Sequence, residues 1–309
     1  MSNPMMQAVR FHEYGGLDVL VLERAPRPQP QADQVLVRVL AAGVNPADAS
    51  MRAGLYKEFM PVQLPWIPGY EGAGIIEAVG ENVTAFQPGQ AVFGFVTGGY
   101  AEYAVAAAGE VQPKPAHLTF EQAASVPMGA LVAWQAIIEV ANVQSGQHIL
   151  VHGAAGGIGL YAVQLAKWKG ASVIGTASAP NVEFVRSLGV EQVIDYQATP
   201  FETIVRNMDV VVDTAGGDVI ERSWQVLRPD GILVTVAGRL GPDAGKTHGV
   251  RGVSTGRGSP DKLKQIRELL DAKQLTPAIR KLFTLAEARQ AQELAQTRHG
   301  RGRVVLLTA

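Results

Sequence analysis

The rhythm of apolar and polar positions changes near residue 120. Upstream, short stretches alternate or run wholly apolar and are cut by glycine, proline and asparagine. The pattern predicts strands over 35–40, 74–80 and 91–95, with turns at Glu81-Asn82 and Gln87-Pro88-Gly89-Gln90. Short strands among such frequent turn signals predict a small all-β, barrel-like unit.

Thr119 opens the second regime. With Gln122 it forms a capping box ahead of Ala123-Ala124, which predicts a helix start. A helix over 130–140 follows. Strands over 148–151, 171–175, 192–194, 208–212 and 232–236 then alternate with helices over 160–167, 181–188, 201–206 and 219–227. This alternation predicts a parallel sheet covered on both faces, the doubly wound α/β fold. A glycine-rich loop over 238–258 and helices over 260–273 and 285–296 lead to a last strand over 303–307. That strand has no place in the parallel sheet and is expected to return to the first unit. The expected domains are therefore 1–122, joined by 260–309, and 123–259. No internal repeat or low-complexity segment stands out.

The junction Val151-His152-Gly153-Ala154-Ala155-Gly156-Gly157-Ile158-Gly159 links a buried strand to a helix. Strand, tight glycine turn and helix in that order make a glycine fingerprint credible as a dinucleotide site. Ala154, Gly156 and Gly159 occupy its three small positions. These serve the turn, the approach of backbone to a pyrophosphate, and the packing of helix on strand. Free N–H groups around Gly157 and Ile158, with the helix dipole, then face the phosphates.

Composition narrows the remaining choices. The chain has 309 residues, 47% of them hydrophobic, enough for two cores. A net charge of −1 offers no field for nucleic acid or an anionic membrane. Arg298, Arg301 and Arg303 form a small basic cluster that reads as a solvated edge. No apolar run matches a membrane span, and 1–6 lacks a signal-peptide pattern, so a cytoplasmic protein is expected. Cysteine is absent, which removes disulfides, thiolate nucleophiles and cysteine metal sites. None of the six histidines pairs at metal-ligand spacing.

Several further segments carry a resemblance. They are Ala41-Ala42-Gly43-Val44-Asn45-Pro46-Ala47-Asp48, Ile67-Pro68-Gly69-Tyr70-Glu71-Gly72-Ala73-Gly74, Gly98-Gly99-Tyr100-Ala101-Glu102-Tyr103 and Gly300-Arg301-Gly302-Arg303-Val304-Val305-Leu306. With the fingerprint they resemble the zinc-free quinone oxidoreductase (zeta-crystallin-like) branch of the medium-chain dehydrogenase/reductase superfamily. The resemblance runs from about Gln7 to Leu307. It implies a GroES-like β-barrel-type catalytic domain, a Rossmann domain, a cofactor cleft between them, and a homodimer formed through the Rossmann sheet edges. Zinc relatives carry cysteine at the position of Asn45 and histidine at that of Tyr70, and the structural zinc lobe is missing here. No metal is expected.

The resemblance also implies cofactor contacts. The stretch 175–181 has no acid to bind ribose hydroxyls, which favours NADPH over NADH. Ser178 matches a phosphate-contact serine and Tyr196 a tyrosine over the adenosine phosphate, with Thr176 and Asn181 in the same loop. The usual nearby base is missing; Arg186 and the carboxy-terminal arginines are candidates for that charge. Ser178 also reads as a plain helix N-cap. Around the nicotinamide the matching positions are Asn45, Val132, Ala237 and Gly238. Val132 replaces a common threonine, and Ser50 replaces a tyrosine of several quinone reductases.

Two functions remain open at this stage. One is an NADPH-dependent reductase of quinones or α,β-unsaturated carbonyls, with Asn45, Ser50, Tyr56 and Tyr70 orienting the acceptor oxygen or simply packing. The other is an NADPH-binding sensor or scaffold. Asp48 reads equally as a catalytic acid or as part of a turn after Asn45-Pro46.

Overall fold

The computed structural model describes residues 4–308. The outermost residues of the amino-terminal stretch, read above for a targeting pattern, lie outside them. The first unit begins with a hairpin, β1 (Met5–Arg10) and β2 (Val21–Pro26). β3 (Gln34–Val44) runs past the predicted strand end through Ala41-Ala42-Gly43-Val44 and delivers the chain to Asn45 and helix α1 (Pro46–Arg52). β4 (Glu71–Val79), β5 (Ala91–Phe95), β6 (Tyr103–Ala107) and β7 (Val111–Pro113) follow. Register shifts between β3 and β4 at Leu36/Val37 and Val39/Ala41 bend the sheet, as bulges do. Alternate residues Val35, Val37 and Val39 then meet Ile76 and Val92 in a small core.

Thr119 caps α2 (Phe120–Ala124), with Gln122 N–H donating to its Oγ1 at 3.2 Å. Helix α3 (Pro127–Trp134) starts three residues before the predicted start, because Pro127 needs no N–H partner in a first turn. It ends in a π-helical stretch, Gln135–Val140. The second sheet contains β8 (His148–His152), β9 (Ser172–Ala177), β10 (Gln192–Asp195), β11 (Met208–Asp213), β12 (Leu227–Thr235) and β13 (Arg251–Ser254). All pairs are parallel, in the order β10-β9-β8-β11-β12-β13. The connections reverse direction between β8 and β11, which opens the crevice where doubly wound sheets bind ligands. Helices α4 (Gly159–Trp168), α5 (Val182–Ser187) and α6 (Val219–Ser223) intervene.

Two differences from the sequence reading stand out here. The helix predicted over 201–206 is a single 3-10 turn, Phe201–Thr203. The loop predicted over 238–258 contains β13, a short edge strand without an apolar run to announce it.

Helix α7 (Leu263–Asp271) packs on α3 and β7 and so bridges the two units. β14 (Ile279–Thr284), helix α8 (Ala288–Gln296) and β15 (Arg303–Leu307) complete the chain. β15 pairs antiparallel with β3, giving a first sheet in the order β14-β15-β3-β4-β5-β7 with β6 also on β3. One large core crosses the seam: Phe93 and Phe95 share it with Leu131, Ile137, Ile266 and Val305. Among the described residues no helix is long and apolar enough to cross a membrane.

Candidate active site

Asn45 sits where β3 turns into α1, and its surroundings hold it from every side. Its backbone N–H donates to Asp48 Oδ2 at 2.8 Å, closing the first turn of the helix. Its side-chain Nδ2 donates to Glu71 Oε1 at 2.8 Å, and its Oδ1 accepts from Arg303 Nη2 at 2.8 Å. Arg303 and Glu71 form a salt bridge, and Glu71 Oε2 accepts the Met128 N–H at 2.7 Å, a donor left free at the start of α3. Glu71 is fully buried and Arg303 is 6% exposed, so these extra hydrogen bonds offset the cost of desolvating the pair. The amide of Asn45 therefore has one fixed orientation. Arg303 corrects the expectation of a solvated basic edge: it opens β15, a strand buried over its first four residues, and meets Glu71, while Arg301 just before the strand stays exposed.

The glycine turn lies against the same cluster. Gly153 has φ +68°, the left-handed conformation that glycine adopts without strain. A β-carbon on Gly159 would meet the Gly153 carbonyl, so only glycine lets α4 pack this close. Gly157 rests on the Arg303 side chain and Gly129 of α3 on the Gly157 carbonyl, both without room for a β-carbon. Gly302 N–H donates to Ala155 O at 2.8 Å, tying the start of β15 to the turn. Gly156 and Gly302 form a parallel bridge, which turns the Gly157 N–H toward Gly302 O, whereas among the described residues no backbone carbonyl outside the helices and strands takes the Ile158 N–H.

Beyond β9, Ser178 Oγ accepts from Asn181 Nδ2 at 2.9 Å and makes no bond to a helix amide. Tyr196 is exposed, and its N–H donates to Ala177 O at 3.2 Å, which brings it beside this loop. Thr176 is placed differently from its neighbours: it is buried, and its hydroxyl is committed to His152 and Gly153. Arg186 is engaged by Glu183, and Arg301 lies over the Phe184 ring. Of the positions expected around the nicotinamide, Val132 is buried in α3, Ala237 N–H donates to Thr235 Oγ1 at 3.1 Å, and Gly238 is exposed.

Ser50, Tyr56 and Tyr70 are all half-buried. The Ser50 hydroxyl turns back to Pro46 O at 3.4 Å, and the Tyr56 ring lies 5.3 Å from that of Phe59. Burial, reinforced by the nearby Asp48 carboxylate, pushes the Tyr70 phenol up to about 12. Asp48 is fully buried and also accepts from Tyr100 Oη at 2.9 Å, which gives it a structural place in the α1 turn. Burial pushes its carboxyl up to about 7.

Comparison with known proteins agrees with this architecture. Residues 31–116 match the family "Alcohol dehydrogenase GroES-like domain", and residues 188–306 match "Zinc-binding dehydrogenase". The quinone oxidoreductase of Coxiella burnetii superposes with a TM-score of 0.89 at 33% identity, covering 99% of this chain and 100% of that one. The quinone oxidoreductase of Mus musculus is 33% identical over 97% of this chain and 96% of its own. The chain belongs to the zinc-free quinone oxidoreductase branch of the medium-chain dehydrogenase/reductase superfamily. It is an oxidoreductase with a GroES-like catalytic domain and a Rossmann domain. The NADPH-dependent alkenal/one oxidoreductase of Arabidopsis thaliana, a further relative, is 32% identical over 97% of this chain and 79% of its own.

Membership in a superfamily that includes zinc enzymes makes the fit of zinc testable on these residues. Asn45 and Glu71 are bonded to each other and to a guanidinium, and a cation in that position repels a metal ion. Tyr70 offers a phenol whose proton is held more tightly than usual. Among the described residues, no three of His, Asp and Glu gather at one point. This donor set does not fit zinc.

Proposed function

We propose that this oxidoreductase is NADPH-dependent and zinc-independent, and that it reduces quinones or α,β-unsaturated carbonyls. The observation that carries the reading is the Asn45 amide, fixed by Glu71 and Arg303 at the point where the glycine turn meets the catalytic domain. The names of the relatives support the substrate class, and the name of the plant relative supports NADPH.

Bound NADPH would supply a hydride to an electron-poor carbon of the acceptor. The chain contributes binding and position. The glycine turn at the start of α4, with the Ile158 N–H, would receive the pyrophosphate. Asn45, unable to rotate, holds its polar edge in one direction. Ser50, Tyr56 and Tyr70 border the acceptor side, and the segment beyond α1 exposes Leu55, Phe59 and Met60, an apolar rim suited to a lipophilic acceptor. We expect the protein in the cytoplasm, as a homodimer paired through edge strands of the Rossmann sheet, whose edges are β10 and β13.

The test is NADPH oxidation against a panel of quinones and enones, together with elemental analysis. Turnover without stoichiometric zinc supports the proposal. Tight NADPH binding with no turnover across the panel would replace it with a sensor or scaffold role.

A further inference from the structure

The last row of the parallel sheet is polar. Side by side stand His152 of β8, Asp213 of β11, Thr235 of β12 and Ser254 of β13. Thr176 of β9 follows the last paired residues of its ladder, Val151 and Gly175. Thr176, His152, Asp213 and Thr235 are buried. Such a row at the carboxyl ends of the strands lies under the loops that form the crevice.

Hydrogen-bond directions along the row follow from counting protons. The single hydroxyl proton of Ser223 goes to Val219 O at 2.6 Å. Ser223 Oγ, 3.1 Å from His152 Nε2, can then only accept, so Nε2 carries the imidazole proton. Nδ1 is left as an acceptor for the Thr176 hydroxyl at 3.2 Å. Thr176 Oγ1 in turn accepts the Gly153 N–H at 3.3 Å. One chain of donors thus runs from the glycine turn through Thr176 and His152 to α6. In the same row Asp213 accepts from Ala215 and Gly216 N–H, both at 2.9 Å, and from Thr235 Oγ1 at 2.7 Å.

We propose that His152 is a positioning residue for the dinucleotide: as a neutral imidazole protonated on Nε2 it fixes the glycine turn through Thr176, without itself touching cofactor. This rests on the dinucleotide reading of the turn. Protonation would put a second N–H on the ring, facing Thr176. The Thr176 hydroxyl proton would lose its acceptor and have to turn away, while its oxygen took a second donor beside the Gly153 N–H, which changes the geometry of that bond. Asp213 of β11 and Glu202 of the Phe201–Thr203 turn favour the charged ring, whereas Arg222 of α6 opposes it. Burial outweighs them all and lowers the imidazole to about 4. The Phe201 ring packs edge-on against the imidazole, centroid to centroid 4.4 Å, and both side chains are buried.

Ser223→Ala and Thr176→Val interrupt the chain at its two ends, and Ser223 is too deeply buried to touch a ligand. Both are expected to raise the Kd for NADPH by roughly 3–10-fold, with kcat changed less, as one lost neutral hydrogen bond implies. Exchange of the Gly153 amide, followed by NMR without cofactor, should become about tenfold faster. The ratio of wild-type Kd to that of His152→Gln, which is neutral at every pH, should rise as pH falls from neutral toward 4; protonation of the ligand cancels in this ratio. Folded variants with unchanged Gly153 exchange and unchanged Kd would overturn the proposal. A wild type that binds no dinucleotide defeats the functional reading instead, and Gly153 exchange still decides the relay.

Discussion

Glu71 on β4 reaches Arg303 on β15 across the strand between them, passing over Gly43 of β3, where a β-carbon would strike the carboxylate. A glycine in the middle strand thus lets two charges meet beneath the glycine turn, and Asn45 is aligned by both.

Breaking this pair from one side should be costly. Arg303→Met leaves the Glu71 carboxylate buried and unpaired, and about 3–5 kcal/mol of stability should be lost. Adding Glu71→Gln removes the stranded charge and should recover most of that loss. Urea denaturation of the two proteins measures the difference; equal stability for both would show that the pair carries no such coupling.

At Gly156 a β-carbon would meet only the Gly153 carbonyl, at 3.2 Å. Gly156→Val should keep the melting temperature within a few degrees while weakening NADPH binding at least about tenfold, because the pyrophosphate needs that space. Gly129→Ala, which strikes the Gly157 carbonyl, should instead lower the melting temperature. Calorimetry and fluorescence titration separate the two effects, and unchanged NADPH affinity in folded Gly156→Val would remove the fingerprint from the mechanism.

The Ser178 hydroxyl accepts from Asn181, which leaves its own proton free for a 2′-phosphate, while Glu183 engages Arg186. Neutral donors of this kind are worth about 1 kcal/mol each, against ~1.5–3 kcal/mol for charged ones. NADPH should therefore be preferred over NADH by roughly tenfold. Ser178→Ala should erase most of the preference and leave NADH use nearly unchanged, read as kcat/KM for both cofactors. Equal loss with both would assign Ser178 a structural role only.

Two buried groups shape stability against pH in opposite directions. Asp48 is raised from 3.8 to about 7, so the folded state holds a proton that the unfolded state releases. Its stabilisation is complete below 3.8 and is lost as pH rises through 7. His152 is lowered from 6.5 to about 4, so stability present above 6.5 is lost as pH falls toward 4. Asp48→Asn keeps an acceptor for Asn45 and Tyr100 but removes the alkaline penalty, a few kcal/mol at most by linkage. Its melting temperature relative to wild type should be higher at pH 8 than at pH 5. The same difference at both pH values would mean that Asp48 does not titrate in this range.

Features that depend on neighbours along the chain are legible in the order of residues. The period of apolar positions separates a β unit from an alternating α/β unit, and Thr119 with Gln122 marks a helix start through a contact three residues long. The glycine turn was legible because strand, turn and helix are consecutive. Features that join distant segments emerge only when the chain folds. Arg251–Ser254 becomes a strand only because β12 offers it an edge. Arg303 looks like surface charge until β15 pairs with β3 and turns it toward Glu71. The Thr176 hydroxyl faces His152 rather than the cleft because the partners that claim it come from another strand. Local propensity is written in the order of residues, whereas burial and the direction of a hydrogen bond depend on neighbours supplied only by the folded chain.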